Sequence, residues 1–150
     1  MLKIRLHNRQ RLFPVSKRRV DKLLRLAAPS EWSDAELSVA VVESEQMTDL
    51  NRKYTGRETD TDVLAFPLDD ETVPDGGDHL VGEIVISASR TVAEAQARGL
   101  DPQDELALYL IHGALHLQGY GDHSAADSRR MYAREREILR KAGIGDVRAS

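Results

Sequence analysis

DPQDELALYLIHGALHLQGYGDH, Asp101 to His123, is the stretch around which the rest of the chain organises itself. Asp101-Pro102 reads as a helix start, an acceptor side chain followed by the one residue whose missing N–H costs nothing in a first turn. Leu106, Leu110, Ile111, Ala114 and Leu115 recur at helical spacing and form the most apolar face in the chain, which predicts a central helix. His112 and His116 stand four apart on that helix, so they share a face one turn from each other, close enough to bind one metal ion. Gly119-Tyr120-Gly121 is a turn signal that ends the helix and lets the chain double back, offering His123 as a third ligand.

Three imidazoles leave the fourth tetrahedral position for water, as in catalytic zinc sites, whereas a structural site closes with four protein ligands. Asp122 is a formal candidate for the fourth, but neighbouring residues rarely converge on one ion, and Asp122 adjoins His123. Zinc held by neutral imidazoles keeps its positive charge and lowers the pKa of bound water to about 7, so hydrolysis is its natural use. The same ion polarises a carbonyl or a phosphoryl oxygen, and spacing alone leaves peptide and phosphodiester substrates both open. A peptidase of the HExxH type carries glutamate after the first histidine; Gly113 stands there, which disfavours peptide hydrolysis. Asp122, Glu105 and Asp104 are the candidates for orienting the imidazoles through their second N–H groups.

Outward from this helix, the alternation of Leu2, Ile4 and Leu6 predicts an edge strand, and Ser16 to Ala28 a helix with Val20, Leu23, Leu24 and Ala27 turned inward. Leu37 to Val42 reads as a strand, Ser44 to Tyr54 as a helix, and Asp62 to Phe66 as a strand that ends at Pro67. Asp69 to Asp78 is a polar connector; Gly82 to Ile86 is a third strong strand. Ser87 or Ser89 caps a helix through Ala97 that Gly99 closes, and a last helix runs from Ala125 to Ala142. These elements predict an α+β domain, a small sheet of about four strands packed by several helices, with a zincin-like metal helix.

At 150 residues the chain fits one compact domain, 1–150, able to bury roughly 70% of its unfolded surface. Lacking cysteine, it offers a metal only imidazole and carboxylate, which suits a cytoplasmic protein. Charges interrupt every apolar run of the first ten residues, and no stretch approaches membrane-spanning length, so no membrane partner is expected. The net charge of −4 argues against wholesale nucleic-acid binding. Cations nevertheless gather in two segments, Arg9 to Arg25 and Arg129 to Lys141, either as solvated helix faces or as a phosphate-tracking surface.

The stretch His112 to His123 resembles the HGxLHLxGYDH signature of the YbeY family, bacterial zinc-dependent endoribonucleases of ribosomal RNA maturation and ribosome quality control. Leu50-Asn51-Arg52-Lys53-Tyr54 with Thr61 to Pro67 is similar to that family's LNxxYR…TDVLSFP block, and Gly82 to Ser87 to its GDIxIS strand. The likeness covers roughly Met47 to Leu139. It implies one Zn2+ on His112, His116 and His123, and single-stranded rRNA and ribosomal particles as partners, with a possible ribosomal protein among them and no DNA. It also makes Asp122 and Arg57 the candidate catalytic residues. Gly121 lengthens the loop before His123 by one residue, and Thr55 replaces the arginine that follows the tyrosine in the family, leaving Arg57 as its substitute. Two other functions stay in play: a non-catalytic zinc-containing ribosome assembly factor, and a zinc peptidase or amidase.

Overall fold

The computed structural model describes residues 1–68, 79–121 and 123–145; the expected connector at Asp69 to Asp78, and Asp122, lie outside them. In chain order the elements are β1 (Lys3–Asn8), α1 (Lys17–Ala27), a 3-10 turn (Ser30–Trp32), β2 (Ala35–Val42), α2 (Ser44–Thr55), β3 (Val63–Pro67), β4 (His79–Ser87), α3 (Ala88–Arg98), α4 (Pro102–Leu117) and α5 (Ala125–Lys141). The α+β expectation holds, with four strands and five helices among the described residues.

The strands form one mixed sheet in the order β1-β2-β4-β3. β1, β2 and β4 are parallel, and β3 runs antiparallel to β4 with Val63 opposite Ile86 and Pro67 opposite Gly82. β2, flanked on both sides, is buried along its length except at Ser38, as a strand covered on both faces must be. Period-two alternation divides its side chains. Leu37, Val39 and Val41 join Ile84, Ile86 and the apolar residues of α1, α4 and α5 in the main core. Ala40, Val42 and Val85 meet Met47, with Leu50, Leu64 and Phe66, on the side covered by α2.

Helix ends follow the sequence closely. Ser16, Ser87, Asp101 and Ser124 each cap the helix after them by accepting a backbone N–H, from Arg19, Arg90, Gln103 and Asp127 respectively. Ser87 is thus the cap of α3, while Ser89 donates to Asp60. α4 ends in a paired closure: Gly119 N–H donates to the His116 carbonyl at 3.0 Å, and Tyr120 N–H to that of Leu115 at 3.1 Å. This motif needs a left-handed residue at Gly119, whose φ is +95°.

α4 is more deeply set than a one-sided apolar face suggests. Ten of its sixteen residues are buried, and it packs against α1, α3, α5, β3 and β4. α1 lies alongside it in the same direction, tied by Arg19 to Asp104 at 2.7 Å near their starts and by Gln118 Nε2 to the Ala27 carbonyl at 2.8 Å near their ends. Gly113 lies tight against the sheet, where an added Cβ would come within 2.8 Å of Ile84 Cγ2.

Candidate metal centre and its cleft

The helical spacing brings two of the expected ligands together. His112 Nε2 and His116 Nε2 face each other at 2.9 Å, and the rings cross edge-on with centroids 4.5 Å apart. His112 Nδ1 is 2.7 Å from Glu135 Oε1, and the Glu135 side chain is fully buried. A carboxylate there accepts Nδ1–H and leaves the Nε2 lone pair of the neutral ring aimed at His116, the tautomer that metal ligation requires. The pair therefore fits a metal by its donor chemistry. His123 lies beyond the Gly119 turn with its ring exposed, and among the described residues no group of three ligating side chains is gathered.

The residue that orients His112 is none of the three acids anticipated for that task. Asp104 is paired with Arg19. Glu105, buried, accepts from Arg98 at 3.1 Å through both oxygens. Asp122 lies outside the described residues. Glu135 had one signal in the sequence: it shares a helical stripe of α5 with Met131, Ile138 and Leu139, so a carboxylate occupies a core-facing position. Burying it requires a partner, and His112 is that partner.

Beside His112 opens a cleft of about 330 Å³ bounded by Asp62, Glu94, Arg98, Glu105, Tyr109 and Tyr132, among others. Three carboxylates against one arginine, which is itself paired with Glu105, leave its walls acidic. Burial, and then the charges of Glu105, Asp62 and Glu94, push the Tyr109 phenol far above its ordinary range, so it stays protonated and donates to Glu105. Gly113, where an HExxH peptidase carries its base, faces Ile84 with no room for a carboxylate.

Arg57 is elsewhere. It lines a second groove with Asn51, Thr55, Thr59, Asp60, Thr61 and Leu64. Leu64 belongs to the α2 side of the sheet and Val63, which lines the His112 cleft, to the other, so β3 stands between the two grooves.

Fold and site together define a class: a small α+β domain whose buried central helix presents a pair of converging imidazoles, one of which lines an acidic cleft. The profile of the family described as Endoribonuclease YbeY matches residues 5–143. Proteins named Endoribonuclease YbeY are similar over most of their length: that of Moorella thermoacetica is 38% identical, covering 93% of this chain and 96% of its own, and that of Bacillus velezensis is 35% identical, covering 83% and 85%. The solution structure of TM1509 from Thermotoga maritima matches the fold with a TM-score of 0.62 at 25% identity, over 95% of this chain and 89% of its own. The chain belongs to the YbeY endoribonuclease family.

Proposed function

We propose that this chain is a metal-dependent endoribonuclease that cuts single-stranded ribosomal RNA in 3′-end maturation and ribosome quality control, with zinc held by His112, His116 and His123. The observation that carries this reading is the convergence of two Nε2 atoms beside an acidic cleft, one ring held by a buried carboxylate. Membership of the family supplies the substrate class. Zinc, when bound, supplies Lewis acidity toward a phosphoryl oxygen and toward water.

The chain's own groups set the conditions. Glu135 keeps the proton of His112 on Nδ1, so Nε2 stays a lone-pair donor. The carboxylates around the cleft repel a bare phosphodiester, which ties substrate entry to the presence of positive charge on the histidines. Arg57 meets a phosphate on the α2 side of β3, and Asp122 acts next to His123. Arg18, Lys22 and Arg140, all exposed, follow the RNA backbone, so binding falls as salt rises. The working partners are ribosomal particles with one of their proteins, in the cytoplasm; among the described residues no helix is long and apolar enough to cross a membrane.

The test is cleavage of single-stranded precursor rRNA by zinc-loaded protein beside His116→Ala carried through the same purification. Cleavage by the first and none by a variant with an unaltered circular-dichroism spectrum is expected. Equal cleavage by both, or none by either, overturns the reading, and a variant that unfolds points to a structural metal. A 2′,3′-cyclic phosphate on the product would exclude direct attack by water.

A further inference from the structure

The mechanism above leaves one aromatic surface without a task. Tyr54, in the last turn of α2, lies against Phe66 of β3 with ring centroids 4.5 Å apart and planes inclined by 42°. Tyr54 is 56% exposed, and Leu68, just past β3, is 41% exposed. A ring needed only for packing is covered; this one leaves most of its surface in solvent. The Lys53 ammonium stands 5.4 Å from the Tyr54 ring centroid, and the exposed Arg57 lines the adjoining groove with Thr55 and Asn51. Arg52 is engaged by Asp49 and Glu58, whereas among the described residues neither Lys53 nor Arg57 is paired with a carboxylate.

An exposed tyrosine ring, backed by a half-buried phenylalanine and flanked by cations with no carboxylate partner among the described residues, suits a nucleotide better than an apolar protein surface. A base uses the ring face and its phosphate uses the cation, whereas an apolar partner would desolvate both charges without return. The location adds to this. β3 is the edge of the sheet, with the ring pair on its α2 side and the His112 cleft on the other, so a strand lying across that edge touches both.

We propose that Tyr54 and Phe66, flanked by Lys53 and Arg57, form a stacking platform for one unpaired nucleobase of an RNA strand that crosses β3 into the His112 cleft. This rests on the endoribonuclease reading and names a binding site that the histidine signature does not contain.

The experiment measures binding of a short mixed-sequence single-stranded RNA, carrying one 2-aminopurine and built with 2′-O-methyl phosphorothioate linkages that resist cleavage, to the zinc-loaded full chain and its variants. Tyr54→Ala and Tyr54→Leu are expected to bind about tenfold more weakly, with loss of the quenching that stacking imposes on 2-aminopurine, while Tyr54→Phe stays near the parent. Tyr54→Leu keeps an apolar contact with Phe66, so loss in that variant reports the missing ring and not a damaged fold. Lys53→Ala is expected to reduce the slope of log affinity against log salt by about one, and Tyr54→Ala to leave that slope unchanged. Unchanged affinity and quenching in Tyr54→Ala, with the parent chain binding RNA, overturns the platform and leaves the endoribonuclease reading intact. Absence of RNA binding by the parent chain overturns the reading beneath it.

Discussion

Two side chains, Glu135 buried behind His112 and Tyr109 in the cleft wall, carry most of what is distinctive here. Glu135 is a fully buried carboxyl group in contact with His112 Nδ1, so its influence should reach a zinc ion on His112 through the tautomer of that ring. Glu135→Gln is expected to lower zinc affinity by about 10- to 100-fold, read by competition with a chromophoric chelator, with little change in the circular-dichroism spectrum. Tyr109 predicts an alkaline limit to stability. Its phenol titrates near 10 when unfolded and well above that when folded, because of burial and the surrounding carboxylates. Above pH 10 the folded chain keeps a proton that the unfolded chain has lost, so the stabilisation, complete below pH 10, declines by about 1.4 kcal/mol per pH unit as pH rises toward the folded value. Urea unfolding at pH 9, 10 and 11 should show this slope in the parent chain and a shallower one in Tyr109→Phe. At this scale the histidine pair was legible, since four-residue spacing on a helix is local geometry. The Glu135 partnership was not, since it joins residues 23 apart in sequence through the packing of α4 on α5.

Among the elements, α4 does two jobs that constrain each other. It must lie close enough to the sheet to be nearly buried and still present His112 at the cleft with His116 beside it. Gly113 meets the first demand. Gly113→Ala is therefore expected to destabilise the fold by about 1–3 kcal/mol, since Ile84 is fully buried and β-branched and has little freedom to yield. Combining it with Ile84→Ala should cost less than the sum of the two single changes, measured as a double-mutant cycle in denaturant; strict additivity would mean that the two residues do not press on each other. The helix and its caps were legible because Asp101-Pro102 and Gly119 act within a turn of chain. Its burial on nearly all sides was not, because periodicity reports a stripe and says nothing of how many neighbours arrive to cover it.

At the scale of the whole molecule, the proposed centre links α4, the turn after it and, through Glu135, α5, so zinc should bind the folded chain in preference to the unfolded one. A concentration-dependent rise in melting temperature is expected, equivalent to about 2.7 kcal/mol at one hundred times the dissociation constant and absent in His116→Ala. A melt indifferent to zinc in the parent chain would remove the centre from the proposal. The class of fold, the order of its elements and the ends of its helices, the histidine pair and the likeness to the YbeY family all follow from the chain read alone, since each depends on residues within a few turns of one another; β2 and β4 start earlier than expected, at Ala35 and His79. Strand order and direction, the carboxylate behind His112, the acidic walls of the cleft and the separation of Arg57 from it by β3 depend on contacts between segments far apart in sequence. Helical and strand periodicity determine which face of an element is buried, but only packing determines what meets it there.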